Sequence, residues 1–343
     1  MNELLRLDTP AGLAAAIIIS ALVIVAAGTR LSGVADRIAD RTGLGEAMVG
    51  AVLLGAATSL PGLIVSVTAA ANGYASLAVA NSLGGIAAQT FFLVVADATY
   101  RRANLEHAAA SIENLIQSTV LMGCLALLVM AASAPSLSLF SIHPISIGIF
   151  ALYLFGLNVT RRARQLPGWK PRRTSETEFD EPNGENTRSS LSLLFASFTV
   201  LALVTGAAGF VVGRAAESAT SIYGLEESVA GAFLAAIVTS LPELVTTIAA
   251  VRRGALTLAV GGIIGGNAFD VLFISAADIA YREGPIYAAI SRDQLFQTGL
   301  ALTMTAVLLM GLLRREKHGP ARLGFETVLI GLLYLAGSAV LFL

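Results

Sequence analysis

Two carboxylates interrupt long apolar stretches in the second half of this sequence. Glu243 follows Thr239 and Ser240 by a few residues, and Asp270 lies in the middle of the next apolar stretch. An ionisable side chain inside a membrane span is costly and by default functional. Carboxylate and hydroxyl oxygens suit a hard cation such as Ca²⁺ or Na⁺. The pattern therefore predicts a cation site, and no cluster of His and Cys suggests zinc or copper instead.

The motif Thr-Ser-Leu-Pro occurs twice, at residues 58–61 and 239–242, each time in mid-span. Proline removes a backbone donor and clashes with the preceding turn, so each helix should break there and free carbonyl oxygens. Broken helices of this type present oxygen ligands to small cations, and the hydroxyls of Thr58, Ser59, Thr239 and Ser240 lie beside those carbonyls. The alternative is a simple kink, in which Ser and Thr satisfy the freed backbone groups.

The two motifs belong to an internal repeat with a constant offset of 181 residues. Gly50 aligns with Gly231, and the register continues without a gap to Arg101, which aligns with Arg282. Of these 52 aligned pairs, 21 are identical, and they include the prolines of both motifs. Chance similarity between apolar segments would not keep polar residues and prolines in register. Gln89 falls on Asp270 in this alignment.

The elements that position these residues are helices spanning a bilayer. The chain of 343 residues is 55% hydrophobic and 13% charged, with a mean hydropathy of +0.76. This composition excludes a soluble enzyme, and the net charge of −1 gives no field that would attract nucleic acid. Continuous apolar runs favour helices over a barrel. They predict ten transmembrane helices at about 11–35, 46–70, 75–98, 110–132, 142–160, 190–216, 227–250, 255–279, 293–313 and 322–342.

The predicted fold is all-α, with two five-helix repeats of inverted topology. Because five is odd, the second repeat enters the bilayer from the opposite side, a layout typical of secondary transporters with a site at the midplane. We expect the first repeat in residues 1–160, a linker in 161–189 and the second repeat in 190–343. Asp97 and Asp278 adjoin Tyr-Arg pairs at the ends of spans, and we expect them to anchor the interface.

The distribution of basic residues predicts the orientation. If both termini face outward, 18 of the 22 Lys and Arg residues lie on the cytoplasmic side, seven of them in the linker 161–189. Positive residues favour the cytoplasmic side. The prediction is a multi-pass protein of the plasma (inner) membrane, with both termini outside and the linker in the cytoplasm.

The duplicated motif, followed by a glycine-rich helix that carries Asn or Asp, resembles the cation/Ca²⁺ antiporters, the family of the sodium/calcium exchanger membrane repeats. The resemblance covers residues 43–101 and 224–282, and the ten-helix frame extends it to most of the chain. It implies alternating access, in which helices one and six slide past the rest. It also implies cation-ligand roles for Thr58, Ser59, Gln89, Thr239, Ser240, Glu243, Asn267 and Asp270.

The sequence departs from the family pattern at the site itself. Gly62 stands where the first repeat carries a glutamate, and Gly85 and Gly266 stand where each repeat carries a serine. Glu243 and Asp270 then remain as the acids of the site, and we expect them to share a proton when no cation is bound. Asn81 could compensate for the missing acid, but its spacing from Gln89, about 12 Å along the helix, predicts a position one layer away.

Three functions follow as hypotheses. The first is a secondary antiporter that moves Ca²⁺ or another cation against Na⁺ or H⁺. The second, motivated by Gly62, is a monovalent Na⁺/H⁺-type exchanger on the same fold. The third is a non-transporting membrane sensor. No cofactor is expected and no nucleotide-binding loop is found, so the expected partners are the transported cations and the lipid bilayer. The sequence leaves the oligomeric state open.

Overall fold

A computed structural model describes residues 9–134, 137–139, 142–177, 190–222, 236–319 and 323–341. This part of the chain is helical and contains no β-strand. The short helices Leu105–Ala108 and Ile286–Ala289 connect longer ones. The longer helices are α1 (Pro10–Thr42), α2 (Glu46–Thr58), α3 (Leu60–Ala71), α4 (Ala75–Thr99), α5 (Ile112–Ser133), α6 (Pro144–Gln165), α7 (Leu191–Ile222), α8 (Leu241–Arg253), α9 (Leu256–Ala280), α10 (Arg292–Arg314) and α11 (Phe325–Leu341).

Several helix starts are set by residues that cap the first turn. The Thr9 hydroxyl accepts from the backbone N–H of Gly12, and Pro10 occupies the first position of α1. Ser291 and Gln294 form a reciprocal capping box at the start of α10. Such side chains satisfy backbone N–H groups that have no partner inside the helix. The starts of α1 and α10 are therefore readable from local sequence.

Seven of the described helices are long and apolar enough to cross a membrane: α1, α4, α5, α6, α7, α9 and α10. The pair α2 and α3, bent by 52° at the break between them, gives an eighth span if the two are counted as one. α11 is apolar but shorter, and the residues 223–235 before α8 lie outside the described part. The chain is thus a multi-pass membrane protein, and the total of ten spans stays a prediction.

The two halves repeat one another element by element. The helix Leu105–Ala108 has its counterpart in Ile286–Ala289, at the offset of 181 residues found in the sequence. α1 and α7, α4 and α9, and α6 and α11 also begin at that offset, so the repeat extends beyond the segment of clear sequence identity. The fold is all-α with two inverted-topology repeats, as the sequence predicted.

α4 and α9 form the centre of the molecule. In the apolar stretch of α9, 94% of the residues are buried, whereas in that of α1 the share is 28%. α1 packs along α7, and both expose large aliphatic side chains such as Leu22 and Leu203. The outer helices therefore face lipid, while the central pair is enclosed by protein.

Asp97 and Asp278 tie the two halves together from equivalent positions. The Asp97 carboxylate accepts from the Leu105 N–H (2.7 Å) and from the Thr327 hydroxyl (2.8 Å). Asp278 accepts in the same way from the Ile286 N–H (2.8 Å) and from the Ser146 hydroxyl (2.7 Å). Each aspartate is buried and joins its own half to the last helix of the other half. The expectation that they anchor the membrane interface was wrong, because their carboxylates are satisfied inside the protein.

Candidate cation site

Both Thr-Ser-Leu-Pro motifs break their helices at the serine. Ser59 has φ −82° and ψ 0°, and Ser240 has φ −90° and ψ 6°, so the two breaks have nearly the same geometry. α3 and α8 each begin again at the following leucine, with proline in the first turn, where its missing N–H costs nothing. The predicted breaks are confirmed, and they place polar side chains inside the bundle.

Glu243 lies in the first turn of α8 and is 2% exposed. Its Oε1 accepts a hydrogen bond from the Ser59 hydroxyl at 2.9 Å, so the break of the first repeat holds the acid of the second. Its Oε2 accepts no hydrogen bond from the described residues. A buried carboxylate oxygen without a donor is costly, and a bound cation or proton would satisfy it.

Asp270 and Gln89 face each other across the centre of the bundle. The Gln89 amide Nε2 donates to Asp270 Oδ2 at 2.8 Å, and the two residues are separated by 181 positions, the offset of the repeat. Gln89 Oε1 is buried and has no hydrogen-bond partner in the described part of the chain. The pair thus joins repeat-equivalent positions and leaves one amide oxygen available.

Two equivalent glycines make room for this pair. A Cβ atom at Gly85 would lie 2.8 Å from Asp270 Oδ2, and one at Gly266 would lie 2.6 Å from Gln89 Oε1. Each glycine therefore leaves space for the polar side chain of the opposite half. Both positions carry a serine in the family pattern described above. A serine at either position here would displace the Gln89–Asp270 pair, so the pair requires both glycines.

Further glycines allow the broken spans to approach the central helices. A Cβ at Gly55 would lie 2.7 Å from the backbone nitrogen of Gly266, and one at Gly265 would overlap the backbone of Ala51. The broken span of the second half makes a similar approach, since a Cβ at Gly84 would lie 2.8 Å from Cβ of Ala236. Small residues of this kind permit close helix crossings in membranes. The crossings bring the breaks to the same depth as Gln89 and Asp270.

These groups enclose a cavity of about 10 Å³, comparable with the space that one water molecule needs. Among the described residues, its lining contains two acids and no basic residue. Nine residues of the described part of the chain line it: Ser59, Gly62, Asn81, Gly85, Gln89, Thr239, Ser240, Glu243 and Asp270.

Six of the eight residues predicted as ligands line this cavity; Thr58 and Asn267 do not. Thr58 lies beside the Glu243 carboxyl, but its hydroxyl donates to the carbonyl of Leu54 (2.9 Å). Asn267 donates from Nδ2 to the Thr90 hydroxyl (2.9 Å). Their ligand roles stay predictions.

Asn81 is the residue that sequence reasoning misplaced. It lines the cavity, although its distance from Gln89 along the helix predicted a position one layer away. α3 packs against α4 and brings Gly62 beside Asn81, since Asn81 donates to the Gly62 carbonyl (3.3 Å). The distance along one helix does not show which residues a neighbouring helix brings beside it.

Inverted repeats, two broken spans and a small acidic cavity at their centre define a class of protein, the multi-pass membrane transporters. The comparison with known sequences narrows this class. Residues 12–159 and 192–342 match the sodium/calcium exchanger protein family, so this chain belongs to that family.

Relatives of known sequence include a membrane protein and an exchanger. The chain is 28% identical over 285 residues to the inner membrane protein YrbG of Escherichia coli, covering 81% of this chain and 83% of the relative. It is 30% identical over 149 residues to the sodium/calcium exchanger MaX1 of Methanosarcina acetivorans, covering 42% of this chain and 40% of the relative.

A solved structure shares the fold. The sodium-calcium exchanger NCX_Mj, in a crystal soaked with Na⁺ and Sr²⁺, matches with a TM-score of 0.71 at 15% identity, covering 95% of this chain and 99% of that chain. At 15% identity, this match shows that the two chains share a fold.

Proposed function

We propose that this protein is a secondary active antiporter that moves Ca²⁺ or another cation against Na⁺ or H⁺ by alternating access. The observation that carries the proposal is the central cavity. There, two carboxylates of the second repeat are held by hydrogen-bond donors of the first repeat beside a cavity of about 10 Å³. A site shared between inverted repeats at mid-depth is the usual arrangement in such transporters.

The proposed ligands are the predicted residues that line the cavity: Ser59, Gln89, Thr239, Ser240, Glu243 and Asp270. The atoms proposed to contact the cation are all oxygens. Gln89 would contribute its amide oxygen, because its amide nitrogen already donates to Asp270. Within the described residues, no three His, Cys, Asp or Glu side chains cluster closely enough to hold a metal ion. The proposed shell therefore consists of two carboxylates completed by hydroxyls and an amide. No resident cofactor, nucleotide or enzymatic step is part of the proposal.

α1 and α7 correspond to the first and sixth of the ten predicted helices, and their packing supports the proposed alternation. These helices lie against each other at the lipid-facing side of the bundle. Gly209 of α7 lies at the prolines of both breaks, since a Cβ there would be 2.6 Å from Pro61 Cγ and 3.4 Å from Pro242 Cγ. A sliding movement of α7 would pass directly over both breaks, and we propose that this opens the cavity to one side and then to the other.

The proposed setting is the inner membrane, with both termini outside and the linker 161–189 in the cytoplasm, on the distribution of Lys and Arg. A single introduced cysteine at Ser175, in a protein whose Cys124 is replaced by serine, tests this orientation. An impermeant thiol reagent added to intact cells should leave it unlabelled and should label it in inverted vesicles. Labelling in intact cells would show that the linker faces outward and that the proposed orientation is wrong.

A second candidate is a monovalent Na⁺/H⁺-type exchanger, favoured by Gly62, which leaves the cavity with two acids. In that case, Ca²⁺ is neither transported nor a competitor. The sensor hypothesis predicts no flux of any cation.

The deciding experiment measures cation flux driven by an ion gradient in proteoliposomes containing the full chain. Ca²⁺ and Na⁺ uptake are measured in parallel under opposing Na⁺ or pH gradients. Glu243→Ala and Glu243→Gln should abolish the flux, because each removes a charge that neutralises the ion. Glu283→Gln is the control, since Glu283 is an exposed acid that accepts from the Tyr281 hydroxyl and is not among the residues that line the cavity. Undiminished flux in the Glu243 variants would overturn the site. Absence of any flux in the wild type would overturn transport.

A further inference from the structure

Asn81 stands at the wall of the cavity with a fixed orientation. Its Nδ2 donates to the Gly62 carbonyl (3.3 Å) and to the Ser66 hydroxyl (3.0 Å). Ser66 itself donates to the carbonyl of Ala78 (3.1 Å), so its oxygen acts as the acceptor toward Asn81. A carbonyl oxygen can only accept, and the amide nitrogen of Asn81 must therefore face Gly62.

This orientation leaves the Asn81 oxygen without a partner. Asn81 is 4% exposed, and its Oδ1 accepts no hydrogen bond from the described residues. Buried polar atoms in proteins are as a rule satisfied. Amide oxygens are among the ligands that hard cations take in proteins, and Asn81 lines the acidic cavity.

Gly62 and Asn81 also exchange roles with their equivalents in the second repeat. Position 62 corresponds to Glu243, and position 81 corresponds to Gly262. The second repeat thus has an acid on its broken span and a glycine on its central helix. In the first repeat, the glycine is on the broken span and the oxygen donor is on the central helix. A Cβ at Gly62 would lie 3.8 Å from Asn81 Nδ2 and 3.9 Å from Asp270 Oδ1, so Asn81 adjoins the space in which an acid at position 62 would stand.

We propose that Asn81 is a cation ligand of this site and that it replaces, as a neutral oxygen donor, the acid that position 62 lacks. The proposal rests on the transport function proposed above and specifies its selectivity. Among the residues that the structure describes, the first repeat then contributes only neutral groups to the lining, and the two acids of the lining are Glu243 and Asp270. Two carboxylates balance one divalent cation without further counter-ions, and Asn81 sets how strongly the site prefers that ion to Na⁺.

The experiment measures thermal unfolding of the purified full chain while Ca²⁺ and Na⁺ are added separately, because an ion that binds only the folded state stabilises it. Asn81→Ala should raise the half-saturating ion concentration about tenfold or more, a loss of about 1.4 kcal/mol of binding. Asn81→Asp should unfold at a lower temperature without ions, since it adds a buried charge. It should nevertheless bind Ca²⁺ more tightly than the wild type and increase the preference for Ca²⁺ over Na⁺.

Ser66→Ala is the matched control. It removes a hydrogen-bond partner of the Asn81 nitrogen but leaves the Asn81 oxygen in place, so ion binding should change less than threefold. If Ser66→Ala and Asn81→Ala weaken ion binding equally, Asn81 serves packing only and the proposal is wrong. It is also wrong if Asn81→Ala binds ions like the wild type while Glu243→Gln does not, an outcome that leaves the transport proposal intact. If Glu243→Gln binds ions like the wild type as well, the proposed function itself fails.

Discussion

The Gln89 amide donates to the Asp270 carboxylate at 2.8 Å, from the position that the repeat makes equivalent to Asp270 itself. The local pseudo-twofold axis of the protein therefore passes between an amide and an acid. A matching acid at position 89 would place two negative charges at this distance in a buried site, where like charges cannot both remain ionised. The amide instead supplies a donor that favours the charged form of its partner.

Replacing Gln89 with leucine should weaken cation binding and lower stability. The change removes the donor to Asp270 Oδ2 and an oxygen that lines the cavity, and it leaves a buried carboxylate without its hydrogen bond. We expect a loss of about 1–3 kcal/mol in the free energy of unfolding and a smaller stabilisation by added cations. Thermal unfolding with and without Ca²⁺ measures both. Thr90→Val is the control, because it removes a hydrogen bond to Asn267 outside the cavity; equal cation responses in the two variants would contradict the prediction.

Restoring the acid at position 62 should strengthen divalent binding. Among the described residues, a Cβ at Gly62 has no neighbour closer than 3.8 Å, and the glycine lies in the cavity wall. The first side-chain atom of a glutamate therefore fits there, and its carboxylate would occupy the cavity itself. Gly62→Glu should lower the half-saturating Ca²⁺ concentration about tenfold and slow exchange against monovalent ions, since a third charge holds the divalent ion more tightly. Isothermal titration with Ca²⁺ and Na⁺ measures the two affinities. Gly62→Gln separates charge from size, and a gain of the same size with glutamine would show that charge is not the cause.

Adding one methyl group at the central helix crossing should destabilise the fold. A Cβ at Gly265 would overlap the Ala51 backbone, which cannot move aside as a flexible side chain can. Gly265→Ala should cost about 1–3 kcal/mol or more, seen as a lower unfolding temperature in detergent. No described residue lies within 4 Å of the Cβ position of Gly299 in α10, and Gly299→Ala should be neutral or stabilise the helix by up to about 1 kcal/mol. Similar losses in both variants would argue against the close crossing.

Acid should release part of the linker. The hydrogen bond from Lys317 to Glu176 (2.7 Å) lowers the pKa of Glu176 to about 2, and a hydrogen bond from Ser175 adds to this. Because the pKa is depressed, the pairing stabilises the contact of residues 175–176 with Lys317 at neutral pH, and this stabilisation is lost as pH falls from about 4.5 toward about 2. Trp169, the one tryptophan of the chain, packs against the core and reports on docking. Its emission should stay constant from pH 8 to 5 and shift to the red below.

Glu176→Gln provides the control for this linker contact. It removes the titrating group, so the emission should already be shifted at pH 7 and should respond little to acid. An acid-induced shift of equal size in this variant would assign the change to another group. Because the pair is partly exposed, added salt should weaken the docking in the wild type.

Much of this architecture is present in the sequence. Apolar runs of span length identify most of the helices, because the bilayer demands about 20 apolar residues for each. The constant offset between residues such as Gln89 and Asp270 identifies the inverted repeat, and the prolines after Ser59 and Ser240 identify the breaks. These features follow from one-dimensional patterns, since proline chemistry and hydrophobicity act locally along the chain.

The tertiary structure decided which polar atoms meet. The sequence placed Asn81 away from the site and Thr58 and Asn267 in it, whereas the folded chain puts Asn81 on the cavity wall and the other two outside the lining. The depth of each residue depends on how inclined helices cross. Those crossings depend on contacts between residues far apart in the chain, such as Gly265 against Ala51, which no local pattern records.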